Sequence, residues 1–75
     1  MRACVYTEAE FLDAVLDEVK RARKKFPDQD RATCLLALME EVGELAQSHL
    51  QNQPQKHFQN EAIQVAAMAL RAWLG

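Results

Sequence analysis

Apolar residues recur at intervals of three and four along most of the chain, a spacing that places them on one face of an α-helix. The first such series comprises Phe11, Leu12, Val15, Leu16 and Val19. Thr7 and Glu10 have the spacing of a capping box, in which each side chain accepts a backbone N–H at a helix start. Pro27 disfavours helical backbone at Phe26. The pattern therefore predicts a first helix from about Thr7 to Phe26.

Two further helices follow. Asp28 or Asp30 can cap the second one, which extends to about His49. Its apolar stripe comprises Leu35, Leu38, Met39, Val42, Leu45 and Ala46. The polar segment 51–55 contains a proline and lacks periodicity, which is typical of a connection. A third helix is predicted over about residues 56–73. We expect an all-α fold in which the second and third helices pack antiparallel across this short connection.

The third helix carries apolar side chains on nearly every side, and such a helix is normally buried. Two neighbours from a chain of 75 residues cannot surround it. Gly43 interrupts the second helix at a cost of about 0.5–1 kcal/mol relative to alanine, so either another backbone approaches it or the glycine is simply tolerated. We expect residues 1–75 to form a single domain that packs on further copies of itself into a helical-bundle homo-oligomer.

The charge distribution excludes one class of partner. With 9 basic and 11 acidic residues the net charge is −2, without the basic excess that binds nucleic-acid polymers. A run of basic residues ends the first helix: Lys20, Arg21, Arg23, Lys24 and Lys25. These side chains either complement the helix dipole in solvent or form a patch that faces phosphate.

The cysteines and the apolar segments indicate a compartment. Cys4 and Cys34 lie in unrelated contexts and suggest neither disulfide bonds nor a metal site. A signal peptide and an apolar run of membrane-spanning length are not apparent. We therefore expect a cytoplasmic protein without a membrane partner.

Acidic residues gather on the second helix, where Glu40, Glu41 and Glu44 are spaced so that their side chains share a face. Like charges repel at this spacing, and a helix built for stability alone would include a basic residue among them. Glu61 and Gln64 repeat the three-residue spacing on the third helix. A buried carboxylate requires a cation or a proton. If the two helices face each other, their oxygen atoms suit Mg²⁺ or Mn²⁺.

The same residues allow a second interpretation. The three glutamates of the second helix can form a solvated surface, while Glu61 pairs with a basic side chain such as Lys20, Arg31 or Arg71. Spacing alone does not decide between a cation site and a solvated acidic face.

The local sequence adds a family resemblance. The segment LMEEVGELA, residues 38–46, resembles the signature helix of the MazG-like nucleoside triphosphate pyrophosphohydrolases. The family pattern is E-E-x-x-E, a spacer, and then E-x-x-D. The second half here reads Glu61-Ala62-Ile63-Gln64, with glutamine in place of the aspartate. The resemblance covers roughly residues 32–70.

The resemblance implies an all-α house-cleaning hydrolase that assembles as a dimer or a pair of dimers. Such enzymes cleave NTPs or dNTPs between the α and β phosphates and release pyrophosphate. Transferred to this chain, the resemblance implies Mg²⁺ as the cofactor, with Mn²⁺ as a substitute. Glu41, Glu44, Glu61 and Gln64 would be its ligands, and Glu40 would orient or deprotonate water.

The substrate contacts are less well defined. His57 lies four residues before Glu61, and Lys20 and Lys24 belong to the basic run, so these three are candidates for contacts with the nucleotide. Gln64 removes one negative charge from the expected ligand set. An alternative function is therefore a catalytically weak or inactive MazG-like module that binds nucleotides or serves as a helical assembly unit. A partner subunit would replace the fourth helix of typical members.

Overall fold

The computed structural model describes residues 7–74, which form three α-helices and no strand. Helix α1 spans Glu8–Lys25, α2 spans Arg31–Leu50 and α3 spans Gln55–Leu74. The all-α prediction is confirmed, and each helix boundary agrees with the sequence pattern to within about one residue. Cys4 lies outside the described residues, and Cys34 is a free, buried thiol.

The helix ends follow from local chemistry. Thr7 caps α1, accepting the N–H of Glu10 at 3.1 Å and donating its own N–H to the Glu10 carboxylate at 2.9 Å. Asp30, one of the two predicted caps of α2, accepts the N–H of Thr33 at 2.8 Å. After α2, Asn52 adopts a φ of 53°, a left-handed conformation that asparagine tolerates better than most residues. The chain therefore turns within four residues and enters α3.

Helix α3 is the central element, because it packs against both α1 and α2. Within residues 7–74, α1 and α2 do not pack on each other. The core between α1 and α3 consists of Val15, Val19, Ile63 and Ala67. The apolar surface of α3 is thus partly covered from two sides.

Polar contacts connect the ends of the helices. At the start of α2, Arg31 donates to the carbonyl of Ala72 near the end of α3 at 3.2 Å. At the other end of α2, Ser48 bonds through Oγ to Nδ1 of His57 in the first turn of α3, at 3.0 Å. Arg71 is buried and donates to the carbonyl of Phe26 at 2.8 Å. The first two contacts join α2 to α3 on either side of the acidic residues, and the third joins α3 to the end of α1.

Much of the predicted apolar stripe remains at the surface. On α2, Leu35, Met39 and Val42 are exposed, and Met39 retains 71% of its accessible area. On α1, Leu12 and Leu16 are also exposed, whereas Val15 and Val19 are buried. A set of large exposed apolar side chains at helical spacing is unusual for a monomer. None of the described helices is both long and apolar enough to cross a membrane.

Candidate metal centre

Three carboxylates from two helices meet at one point. Glu41 and Glu44 lie on α2, Glu61 lies on α3, and one oxygen of each lies within 4.8 Å of the others. Glu41 and Glu61 are half-buried and Glu44 is exposed, so the cluster opens to solvent on the side of Glu44. The i, i+3 spacing on α2 and the packing of α3 across it produce this convergence.

The cluster has the dimensions of a site for a hard divalent cation. Mg²⁺ binds oxygen at about 2.1 Å, so two of its ligands lie at most about 4.2 Å apart. The three carboxylate oxygens lie within 4.8 Å of one another, whereas neighbouring ligands of an octahedral ion lie only about 3 Å apart. Rotations about the χ angles must therefore bring the side chains closer before they bind an ion. Oxygen-only ligands favour Mg²⁺ or Mn²⁺ over zinc. The residues therefore fit such an ion.

Glu61 has one oxygen, Oε2, that is buried and has no hydrogen-bond partner. Two of its three expected basic partners donate elsewhere: Arg31 donates to Ala72, and Arg71 donates to Gln29 and Phe26. Among residues 7–74, the only basic–acidic pair within 4.0 Å is Arg21 with Glu18. The alternative that Glu61 pairs with Lys20, Arg31 or Arg71 is therefore wrong. An unpartnered buried carboxylate oxygen needs a proton or a cation.

The acidic crowding acts most strongly on Glu41. Burial, followed by the charges of Glu44 and Glu61, raises the pKa of Glu41 to about 7. A hydrogen bond to Glu61 and the charge of Glu40 act in the same direction. Without a cation, the proton on Glu41 therefore compensates part of the repulsion, and a bound cation would replace it.

This shift predicts how stability depends on pH. The folded protein keeps a proton on Glu41 up to about pH 7, whereas the unfolded chain loses it near pH 4.5. The folded state binds more protons in this interval, so the free energy of unfolding should fall as the pH rises from about 4.5 to about 7. Urea denaturation in EDTA at several pH values measures the slope. Glu41→Gln should flatten it, and a parent slope that rises with pH over this interval would contradict the prediction.

Gln64, the expected fourth ligand, lies beside Glu18 of α1, and its amide helps to lower the Glu18 pKa after the larger effect of Arg21. Both residues line a groove of about 480 Å³ between α1 and α3, together with Glu61 and Arg21. Arg21 donates through Nε to Glu18 at 3.0 Å and through Nη2 to the other oxygen. The groove adjoins the carboxylate cluster through Glu61.

Sequence reasoning missed Glu18 and Arg21 as neighbours of the site. Their i, i+3 spacing on α1 is a weak signal, because ion pairs of this kind are common on exposed helices. Arg21 lies in the predicted basic run, but only the packing of α1 on α3 places it in the same groove as Glu61. The geometry therefore adds an arginine to the surroundings of the carboxylates.

The other predicted site residues lie around the cluster. Glu40 is exposed and lines an open groove on α2 with Gly43 and Glu44. Lys20 and Lys24 line a separate basic groove along α1 that does not include Glu61. His57 forms a hydrogen bond with Ser48. It is not among the potential metal ligands that lie close together within residues 7–74.

Comparison with protein-family models, curated proteins and solved structures identified no match to this chain. The resemblance to MazG-like enzymes therefore stays a prediction that rests on the quoted motif.

Proposed function

We propose that this protein is a Mg²⁺-dependent nucleoside triphosphate pyrophosphohydrolase of the house-cleaning type. It would convert an NTP or dNTP to the monophosphate and pyrophosphate, and it would accept Mn²⁺ as a substitute. The observation that carries the proposal is the convergence of Glu41, Glu44 and Glu61 within 4.8 Å. The unpartnered oxygen of Glu61 supports it, because a cation satisfies that atom.

Each acidic residue has a role in this proposal. Glu41, Glu44 and Glu61 would hold the ion through carboxylate oxygens, and Gln64 would add a neutral carbonyl oxygen as the fourth ligand. The bound ion supplies neutralisation of the phosphate oxygens and lowers the pKa of a coordinated water. Glu40 lies next to Glu41 and is exposed on α2, so its carboxylate can orient the attacking water or accept its proton.

The proposal includes an antiparallel arrangement of α2 and α3. Contacts at both ends of the pair support it: Arg31 begins α2 and reaches Ala72 near the end of α3, while Ser48 near the end of α2 reaches His57 at the start of α3. In this arrangement the middle of α2, which carries Glu41 and Glu44, faces the part of α3 that carries Glu61.

The proposal also includes a homo-oligomer, a dimer or a tetramer, that buries the exposed stripe of α2. Four exposed apolar residues follow one another along that helix at intervals of four, three and eight residues: Leu35, Met39, Val42 and Leu50. Gly43 lies beside this stripe, and a Cβ added there would meet nothing within 4 Å. The chain itself therefore gives no reason for a glycine, whereas the close approach of a second copy does.

Gly43→Ala tests this oligomer. Alanine removes the helix penalty of glycine, so the isolated subunit should gain about 0.5–1 kcal/mol in its free energy of unfolding. The added methyl group should at the same time weaken association by holding the two backbones apart. Sedimentation at a series of concentrations measures the dissociation constant. Ala46→Gly, one turn later on the same face, is the matched control. It removes a methyl group instead of adding one, so it should not hold the two backbones apart. An assembly as tight in Gly43→Ala as in the parent would contradict a close approach at Gly43.

The enzymatic proposal is tested by pyrophosphate release. The parent protein and Glu44→Ala would be assayed with a panel of ordinary and modified NTPs and dNTPs, in Mg²⁺, in Mn²⁺ and in EDTA. We expect turnover of at least one nucleotide that requires the ion and is lost in Glu44→Ala. If neither ion supports turnover and the two proteins behave alike, the enzymatic proposal fails.

A weak or inactive nucleotide-binding or assembly module is the second candidate. The observation that favours it is that Gln64, at the expected ligand position, lies beside Glu18 of α1. The two candidates predict different effects of an aspartate at position 64 on the activity.

Gln64→Asp distinguishes the two candidates. If glutamine is an adequate ligand, the substitution should change kcat/KM by less than about tenfold, because the ion already has three carboxylates and the aspartate also repels Glu18. A gain of about 100-fold would instead indicate a site that has lost its activity. Asn60→Asp is the matched control, because it adds the same charge to the same groove one turn earlier. A gain shared by both variants would reflect charge alone.

A further inference from the structure

A second polar site lies away from the carboxylates. A cavity of about 100 Å³ is enclosed where the connection between α1 and α2 meets the end of α3. It is lined by Arg23, Pro27, Gln29, Cys34, Arg71 and Leu74. Glu61 and Arg71 are ten residues apart on α3, which corresponds to about 15 Å along the helix axis. The cavity is therefore separate from the candidate metal centre.

Arg71 is the central feature of this cavity. It is 7% exposed, and its two acceptors, Gln29 Oε1 at 2.6 Å and the Phe26 carbonyl at 2.8 Å, are both neutral. It is not among the basic–acidic pairs of residues 7–74. The carbonyl dipoles at the end of α1 offset part of its charge. A buried guanidinium without an anionic partner remains costly, because neutral oxygens do not replace lost hydration completely.

Two further residues that line the same cavity carry hydrogen-bond donors. Arg23 is exposed, so the positive charge extends from the buried Arg71 to the surface. Gln29 accepts from Arg71 through Oε1, which leaves its Nε2 group as a donor. The cavity lining contains no acidic residue. Its volume is close to that of three water molecules, which suits one small tetrahedral anion and is too small for a nucleotide.

We propose that this cavity binds a small oxyanion of the phosphate class, held by the guanidinium groups of Arg71 and Arg23 and by the amide of Gln29. Arginine suits this role because its planar donors match two oxygens of a phosphate group. The anion would supply the negative charge that Arg71 lacks beside it among residues 7–74. It would also link the α1–α2 connection to the end of α3. This inference does not depend on the proposed enzymatic function.

The test is a titration of the full chain with inorganic phosphate, in EDTA and at an ionic strength held constant with sodium chloride. Binding would be followed by NMR shifts of the Arg71 and Gln29 side-chain signals and by the melting temperature. We expect saturable shifts at these residues and a rise in melting temperature with phosphate that chloride does not produce. Because EDTA removes divalent ions, the result does not depend on whether the carboxylate cluster binds a cation.

Arg23→Gln is the decisive variant, because Arg23 is exposed and its loss should leave the fold intact. We expect it to weaken phosphate binding by about tenfold or more, the usual effect of losing a charge-assisted hydrogen bond. Lys24→Gln is the matched control, since it removes the same charge from the next residue, which does not line the cavity. It should change the affinity by less than about twofold. Equal weakening by both variants, or shifts that chloride reproduces, would overturn the proposal.

Discussion

Glu61→Gln should lower Mg²⁺-dependent pyrophosphate release by at least about 100-fold and, at the same time, make the metal-free protein more stable above pH 7. Replacing a residue that only supports a metal ligand typically costs 10- to 100-fold, so loss of a ligand itself should cost at least the upper value. The buried, unpartnered oxygen of Glu61 makes it the least replaceable member of the cluster.

The gain in stability follows from the same crowding. In the metal-free protein, Glu61 contributes to the repulsion that raises the pKa of Glu41, after burial and Glu44. Glutamine has nearly the same shape, carries no charge and can donate its amide hydrogen to Glu41. We expect the free energy of unfolding in EDTA at pH 8 to increase by about 1.5–3 kcal/mol, the usual contribution of a hydrogen bond to a charged group.

Both effects need a control that removes a charge without touching the cluster. Asp17→Asn is suitable, because Asp17 is exposed on α1 and lines the groove beside Glu61 without belonging to the cluster. It should leave the activity within about threefold and the stability nearly unchanged. A Glu61→Gln protein that is destabilised in EDTA, or that keeps most of the parent activity, would show that Glu61 serves the fold rather than a cation.

Local signals were enough to predict the helices. The signals that begin and end the helices act on backbone groups only a few residues away, so their effects do not depend on the rest of the fold. They are the capping box of Thr7 and Glu10, the cap Asp30 and the helix-ending Pro27. The convergence of Glu41 and Glu44 with Glu61 also followed from helix periodicity, once two helices were joined by a short connection.

The neighbours of the site could not be predicted in the same way. Whether Glu18 and Arg21 face α3 or solvent depends on the rotation of α1 about its axis, which the packing of Val15 and Val19 on Ile63 determines. Arg71 is a second example. Its charge and position suggested a partner for Glu61, but tertiary packing directs it to the Phe26 carbonyl instead. Long side chains near helix ends can reach several partners, and sequence spacing does not choose among them.

The exposure of the α2 stripe has a related cause. Periodicity indicates which side chains share a face, and it does not indicate what covers that face. Leu35, Met39 and Val42 form the predicted stripe, yet α3 lies against another side of α2 and leaves them exposed. The sequence pattern therefore identified an apolar face of α2, without indicating which element, if any of this chain, packs on it.

Ile63→Ala should make folding depend on the divalent cation. Ile63 is 7% exposed in the core with Val15 and Val19, and its truncation should cost about 2–5 kcal/mol. A domain of this size has a total stability of only about 4–11 kcal/mol. In EDTA the variant should therefore be partly unfolded at 37 °C, as measured by circular dichroism.

Adding Mg²⁺ should restore the fold of Ile63→Ala, because an ion that binds only the folded state at 100 times its dissociation constant adds about 2.7 kcal/mol. The double variant Ile63→Ala with Glu61→Gln keeps the same core defect but lacks the ligand. It should be more folded than Ile63→Ala in EDTA, because Glu61→Gln relieves repulsion, but adding Mg²⁺ should not raise its folded fraction further. Potassium at matched ionic strength controls for screening of the acidic cluster. Equal recovery of both variants in Mg²⁺ would mean that the carboxylates bind no specific ion. Recovery that requires Glu61 would connect the folding of this small domain directly to its metal centre, two residues from Ile63 on α3.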